Sequence, residues 1–396
     1  MKKIMMIALM TAMTLAASAQ EKKTIELPAW LNNVKLSGYG MVQYQASDKE
    51  GDEQNSFQLR LLRLSLEGRI QQDWYWKMQL QMNGNVSSLN SSPRIVDAFA
   101  EWQKYEYFKV KAGQFKRPFT FENPMHPITQ GFMSYSQPVS KLSGFSDRTG
   151  EHSCNGRDIG LQIQGDFLKD NSGRNLLHYQ VGVFNGEGIN TKDKDNKKDI
   201  IGGMWVMPIK GMRIGAFGWT GTRYMATTQT VEGATVNKTE SVRKNRYALS
   251  AEYALNDWTA RAEYIHSQGF AANKDKGDKA DGWYALAIAP VIKNKMHVKA
   301  RYDCYRDQKT WASSKTYYEV GADYLLSKNL QVNLEYARVN ERATHSNYNL
   351  VDLELDFRFY PIRSFRNFLT IRTFRTFQFY RATQNSHSSH SSHEFP

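Results

Sequence analysis

Apolar and polar side chains alternate with a period of two along most of this chain, from about residue 35 to residue 359. In the stretch WYWKMQLQMN, which begins at Trp74, every even-numbered residue is apolar. The odd positions after Tyr75 carry Lys, Gln, Gln and Asn. Successive side chains of a β-strand point to opposite faces, so the pattern predicts strands with one apolar and one polar face. About sixteen such segments follow one another, and the last, NLVDLELDFRF, ends at Phe359.

Short and long connections alternate between these segments. Short turns are expected near residues 71–73, 104–107, 209–210, 256–257 and 327–328. The longer links are 47–56, 84–94, 118–156, 186–199, 223–245, 269–281, 307–315 and 340–347. In hydrocarbon every backbone N–H and C=O must be paired, so strands can cross a bilayer only as a closed barrel.

The alternation therefore predicts an all-β fold: a transmembrane antiparallel β-barrel of about 16 strands, with long extracellular loops and short periplasmic turns. The polar faces then line an aqueous lumen. A large soluble β-sandwich or solenoid is the alternative, but that architecture requires neither an even strand count nor the asymmetry of the connections.

The link over residues 118–156 is the longest and would be the third extracellular loop. A sixteen-stranded barrel encloses a water-filled channel rather than a packed core. Loops of this length without evident secondary structure are usually functional. We expect this loop to fold inward and narrow the pore; an outward cap or a contact with a neighbouring subunit is the alternative.

The start of the chain has the features of an export signal. Residues 1–19 combine two lysines with an uncharged apolar run and end in Ala17-Ser18-Ala19, which predicts a signal peptide cleaved near Ala19-Gln20. The apolar run is too short to span a bilayer about 30 Å thick. Residues 20–34 are expected to form a short periplasmic segment before a barrel domain over residues 35–359.

The last 37 residues, 360–396, do not continue the alternation. They begin beside Pro361, a residue that interrupts strand pairing, and they finish in the tract HSSHSSH. We expect an atypical, disordered C-terminal extension. Metal binding by the histidine tract is the alternative.

The charge of the chain permits anionic partners. The formal net charge is +13, of which the predicted signal peptide carries +2 and residues 360–396 carry +4, so +7 remains for residues 20–359. This mild basic excess does not demand nucleic acid as a partner. Strand parity turns bases such as Lys299 and Arg301 toward the lumen, together with a similar number of acids. Selectivity would then depend on a local ring of one sign at the narrowest point.

Five segments serve as landmarks: LRLLRLSLEGRIQQDWYWKMQLQM, DAFAEW, KVKAGQFKRPFTFE, GRDIGLQI and YQVGVFNGEGINTKDKDN. Together they resemble the phosphate-selective porin O and P family of outer-membrane proteins. The resemblance implies a sixteen-stranded, trimeric channel in the bacterial outer membrane, with an inward-folded third loop and cationic side chains along the pore. It implies an anion route past Lys109, Lys111, Lys116, Arg117 and Arg157.

The function implied is passive diffusion of small hydrophilic solutes through a porin, with an anion preference of the phosphate type as a further expectation. Phosphate specificity does not transfer with the fold, because members of this family vary in solute preference. The expected partners are small hydrophilic or anionic solutes, outer-membrane lipid and two further copies of the chain, with no nucleic acid and no cofactor. A structural or adhesive barrel protein without selective transport is the alternative.

The segment NTKDKDNKKD contains a weak candidate for a metal site. Its Asp193, Asp195, Asn196 and Asp199 offer oxygen ligands of the type that Ca²⁺ prefers. The spacing lacks the glycine and the terminal glutamate of an EF-hand loop, so a solvated loop is favoured over a calcium site. No nucleophile can be assigned a base and an orienting partner, so the sequence does not predict an enzyme.

Overall fold

The structure is a computed structural model, and it describes residues 34–83, 93–148, 153–231, 234–269 and 279–363, with the backbone alone for 225–240 and 360–363. The predicted signal peptide, most of the predicted 20–34 segment and most of the 360–396 extension lie outside these ranges. The strands are β1 Lys35–Ser47, β2 Gln54–Ile70, β3 Trp74–Gln81, β4 Arg94–Trp102, β5 Lys109–Lys116, β6 Arg157–Lys169, β7 Asn175–Phe184, β8 Asp199–Val206, β9 Met212–Val231, β10 Ala234–Leu255, β11 Trp258–Gly269, β12 Lys279–Ile292, β13 Met296–Arg306, β14 Ser314–Ser327, β15 Leu330–Glu341 and β16 Ser346–Arg363.

These strands form a closed antiparallel barrel in which each strand pairs with its neighbours in sequence. The seam between β1 and β16 closes the barrel, with pairs such as Gly40 with Phe357 and Tyr44 with Leu353. The predicted sixteen-stranded fold is confirmed. Closure pairs both edges of the sheet, as backbone groups in hydrocarbon require.

The two faces of each strand separate as the alternation predicts. On β16, Leu353 exposes 43% of its surface on the outside of the barrel, whereas its neighbour Glu354 exposes 1% on the inside. The outer face is therefore apolar and open to lipid, and the inner face is polar. The inner polar side chains are buried by one another and by the third loop, so much of the lumen is packed protein.

Two elements differ from the expectation. Residues 223–245 do not form a loop, because β9 and β10 continue as a paired hairpin to Val231 and Ala234. This segment is rich in Thr and Val, which favour strands, and it extends past the strands beside it, so it needs no lipid-facing apolar row. The last strand also continues beyond Phe359 to Arg363. The pairing register of β1 and β16 shifts between Leu36 and Gly38, opposite Pro361, so the missing N–H falls at an irregularity of the ladder.

The described parts of the connections contain one short helix, α1 Gln137–Leu142, and two 3-10 turns, over Trp311–Ser313 and Arg342–Thr344. In the described ranges no helix is long and apolar enough to cross a bilayer. Helix α1 belongs to the third long connection, residues 117–156, which we call L3. It packs inside the barrel, and its Pro138 lies so close to Gly282 of β12 that a Cβ there would be 2.9 Å from Pro138 Cγ.

Replacing Gly113 by alanine should lower the stability of the barrel. Gly113 has a φ of +128°, and a Cβ at this position would lie 2.3 Å from the carbonyl oxygen of Ala98 on the neighbouring strand. A strained backbone of this kind costs ~1–3 kcal/mol. Urea unfolding of the detergent-solubilised barrel, followed by loss of the heat-modifiable band, measures the loss.

The matched control is Gly218→Ala on β9, where an added Cβ has no atom within 4 Å. We expect its free energy of unfolding to stay within ~0.5 kcal/mol of the parent. Equal effects of the two substitutions would contradict the explanation from the backbone of Gly113.

Candidate functional site

L3 is attached to the lumen-facing wall by its backbone N–H groups. Three carboxylates of the wall accept these hydrogen bonds at 2.7–2.9 Å: Glu263 from Phe121 and Glu122, Asp303 from Gln137, and Glu335 from Met133. All three carboxylates are at least nine-tenths buried. Three carboxylates of the wall formed by β11 to β15 are therefore engaged in hydrogen bonds to the loop.

Basic residues of the same wall and of the adjacent strand β10 hold the carbonyl groups of L3. The oxygens of Gln130, Gly131, Ser134 and Leu142 accept hydrogen bonds from Arg261, Lys299, Arg301 and Arg246 respectively. Arg246 also forms a fully buried ion pair of 2.7 Å with Asp147 of the loop. Bonds to charged groups contribute ~1.5–3 kcal/mol each, so these contacts fix the path of L3 across the lumen.

An apolar cluster packs beneath the loop. Phe119 and Phe121 of L3 meet Phe217 and Trp219 of β9 edge to face, with ring centroids 5.5–6.5 Å apart. Val139 of α1 is fully buried in the same cluster. Pairs of this geometry contribute ~0.5–1.5 kcal/mol beyond the burial of their surface, so the loop is packed like a protein core.

A cavity of about 500 Å³ lies between L3 and the opposite part of the lumen wall. Two carboxylates line it, Asp97 and Glu101. Seven basic residues line it: Arg63, Lys77, Lys111, Lys116, Arg117, Arg157 and Arg213. The space beside the loop is therefore markedly basic, although the lumen as a whole carries both signs.

Four of the residues expected on the anion route border this cavity: Lys111, Lys116, Arg117 and Arg157. Lys109 does not border it; its Nζ lies 3.2 Å from Asp166. Lys299 and Arg301, which strand parity turns toward the lumen, lie beneath L3. They pair with Glu335 and Glu319 and donate to loop carbonyl groups.

Most bases around the cavity are engaged in the wall itself. Arg117 and Asp158 form a 2.8 Å ion pair in which neither side chain is exposed. The Arg157 guanidinium lies 2.6 Å from a carboxylate oxygen of Asp97, and the Lys111 ammonium lies 3.7 Å from Glu101. These pairs hold strands β4, β5 and β6 and the base of L3 together.

Lys116 has a different role. Its ammonium group donates to the carbonyl oxygens of Asn123 and Met125 and to the hydroxyl of Tyr135, at 2.6–2.7 Å. It thus joins the end of β5 to two turns of L3. All three partners are neutral, so no carboxylate of the described residues pairs with the Lys116 ammonium group.

Arg63 and Lys77 also border the cavity, and strand parity alone could not single them out. Arg63 donates to Tyr39 and Gln81, both neutral. Neither base has a carboxylate within 4 Å in the described part of the chain. Alternation shows that both face the lumen, but their depth relative to L3 follows only from the loop's path.

His126 of L3 completes the cavity with a neutral ring. The His126 side chain is exposed to the cavity. Partial desolvation inside the barrel, and then the charge of Lys116, lower the pKa of His126. Its ring packs edge-on against Tyr39, with centroids 4.5 Å apart. At neutral pH His126 therefore adds a polar ring to the cavity and no charge.

The weak calcium candidate lies in the connection between β7 and β8. Asp193 accepts N–H groups of Asp195 and Asn196 and pairs with Lys198. Asp199 is 3.0 Å from the Lys244 ammonium and accepts a hydrogen bond from the Trp219 indole. These carboxylates already have donors from the chain itself, and the described ranges contain no cluster of three or more metal-ligating side chains.

A model of the family described as phosphate-selective porin O and P matches residues 37–359 of the chain. The chain belongs to this family. It is accordingly an outer-membrane porin, and the family and the fold are those of a channel. The comparison with curated proteins returned no match.

Solved structures of outer-membrane porins share the fold of this family member. The anion-selective porin from Comamonas acidovorans has a TM-score of 0.60 at 14% identity, over 82% of this chain and 99% of that one. OmpF of Salmonella typhi, in complex with daunomycin, has a TM-score of 0.61 at 14% identity, over 85% and 100%. The trimer form of OmpT from Vibrio cholerae has a TM-score of 0.54 at 13% identity, over 83% and 100%. At these identities the likeness concerns the fold alone.

Proposed function

We propose that this porin is a passive diffusion channel for small hydrophilic solutes, that L3 narrows it, and that it prefers anions. The observation that carries the proposal is the lining of the cavity beside L3, with seven bases and two carboxylates. The loop lies across the lumen and leaves this basic space next to it. A solute that passes the loop would meet the basic lining at close range.

The preference arises because the loop covers one wall of a lumen whose charges nearly balance. Glu263, Asp303 and Glu335 accept hydrogen bonds from L3 and are buried beneath it, so their charge is removed from the water-filled space. Arg63, Lys77 and Lys116 have only neutral partners or none on the open side. A local excess of one sign at a constriction sets the selectivity of a pore more strongly than the overall charge of the lumen does.

The preferred anions would include phosphate-type solutes, and the bases that carry the route would be Lys111, Lys116, Arg117 and Arg157, together with Arg63 and Lys77. Lys109 would act nearer the short-turn end of the barrel. Lys299 and Arg301 would act indirectly, by holding L3. Trimeric assembly is a further part of the proposal, supported by the family and by the trimer form of the related OmpT fold.

The wild-type protein tests the proposal directly. In a planar bilayer with a KCl gradient, we expect a reversal potential on the chloride side, and a conductance that rises with salt as in a water-filled pore. Bases at a constriction act at short range, so the preference should weaken but persist at 1 M salt, where the Debye length is ~3 Å. A reversal potential on the potassium side would overturn the anion preference.

A further inference from the structure

Aromatic rings share the cavity with the bases. Five of them border it besides Tyr39 and the two histidines: Tyr75, Phe99, Phe115, Phe121 and Trp205. Small hydrated anions bind to hydrogen-bond donors and positive charge, which the faces of aromatic rings do not provide. A cavity that combines rings with a few placed polar groups is instead the usual form of a site for an organic molecule, and ~300–1,000 Å³ is the usual size range.

The bases lie directly on the rings. The Lys111 ammonium is 5.0 Å from the ring centroid of Phe99 and 5.3 Å from that of Phe115. The Arg213 guanidinium carbon is 4.0 Å from the centroid of Phe121. A charged head group and an apolar ring are therefore within reach of one small molecule.

Trp205 extends this surface along β8. One face of its indole stacks on His178 with centroids 4.0 Å apart and an angle of 18° between the planes, and Phe121 meets it edge-on at 5.6 Å. The Trp205 side chain is only partly buried and borders the cavity. The indole is thus held in one orientation beside the open space, as a pre-formed contact surface requires.

Neutral donors and acceptors complete the lining. The side-chain amides of Gln79, Gln162, Gln164 and Gln180 border the cavity, and Lys77 contributes an ammonium group without a carboxylate partner in the described ranges. A carboxylate could bind Lys77 or Lys111 while the remainder of the molecule contacts the rings. This arrangement suits a ring-bearing anion better than a spherical one.

We propose that the cavity beside L3 is a recognition site for organic anions that carry an aromatic ring, with aromatic carboxylates as the chemical class. This inference rests on the proposed anion preference and adds to it a preference for the ring. Each ring contact adds to the affinity beyond its buried area. Two such contacts give about a tenfold gain in affinity over a carboxylate without a ring, since ~1.4 kcal/mol is a factor of ten.

The test is inhibition of the KCl current in a planar bilayer by sodium benzoate, with sodium acetate and inorganic phosphate as comparison anions. We expect benzoate to halve the current at a concentration about tenfold lower than acetate does. Trp205→Leu and Phe99→Leu, which keep an apolar side chain and remove the rings, should each raise the required benzoate concentration severalfold. Trp258→Leu is the matched control, because this tryptophan lies on the outer face with 55% of its surface exposed.

Two results would overturn the inference: equal inhibition by benzoate and acetate, or leucine variants that keep the benzoate preference of the wild type. Neither result bears on the reversal potential of the wild-type channel in KCl, which tests the proposed anion preference separately. A potential on the chloride side with no benzoate preference would therefore remove the ring-binding site and leave the anion channel in place.

Discussion

Deleting residues 125–145 should raise the single-channel conductance severalfold. This segment includes α1 and most of the contacts that hold L3 across the lumen, among them the bonds of Met133 to Glu335 and of Gln137 to Asp303. Without it, the barrel retains its sixteen paired strands and loses the material that fills its centre. Single-channel recording on the refolded variant measures the change, and the heat-modifiable band confirms that the barrel has formed.

The same deletion should weaken the anion preference, because Asp303 and Glu335 would face water again together with Lys299 and Arg301. Replacing residues 225–240 by two glycines is the matched control. This hairpin pairs only with itself, beyond the last β8–β9 pair at Ile200 and Thr220. It should leave both conductance and reversal potential unchanged. Unchanged conductance after deletion of 125–145 in a folded barrel would place L3 outside the conduction path.

Replacing Lys77 and Lys111 by glutamate should move the reversal potential in a KCl gradient away from the chloride side, toward the potassium side. Both side chains border the cavity, where seven bases face two carboxylates, and the double substitution makes this five bases and four carboxylates. Two unit charges 4 Å apart, such as a side-chain charge and a permeating ion, interact with an energy of ~1 kcal/mol in water and ~4 kcal/mol at an effective dielectric constant of 20. A shift of this size changes the ratio of chloride to potassium permeability severalfold or more.

The control for this experiment is Lys293→Glu, in the turn between β12 and β13, where the side chain is exposed and does not border the cavity. This control makes the same lysine-to-glutamate change at one position. Solvent and salt screen the exposed charge, so the reversal potential should stay that of the parent. Lys77→Gln and Lys111→Gln should give intermediate values. If the double glutamate variant keeps the parental reversal potential, the charges that set selectivity lie elsewhere in the lumen.

The barrel could be read from the sequence because its cause is local. Each strand must place an apolar side chain toward lipid at every second residue, as NLVDLELDFRF does on β16, and the backbone must be fully paired. Because of these two requirements, the alternation predicts the number of strands, their direction and the side of the barrel that each side chain faces. The orientation of Lys299 and Arg301 toward the inside followed from parity in this way.

The hairpin of β9 and β10 shows where this reasoning stops. Residues 223–231 and 234–243 continue as strands past the neighbouring pairs, where no lipid imposes an apolar row. The alternation that identifies spanning strands is weak there, and the segment looks like a loop. At Pro361 the sequence suggests the end of a strand, but β16 continues through this residue. The strand can continue because the β1–β16 pairing is irregular there, which no local pattern reveals.

The sequence by itself determined which residues face lipid and which face the lumen, because a period of two needs only a strand and two solvents. The tertiary structure decided which lumen charges remain open to a solute. Glu263 bonds L3 across 142 residues of sequence, and Asp303 bonds it across 166. Such pairs depend on the closed barrel bringing distant strands to the loop, so a lumen whose charges nearly balance in the sequence becomes basic beside L3 only once the chain has folded.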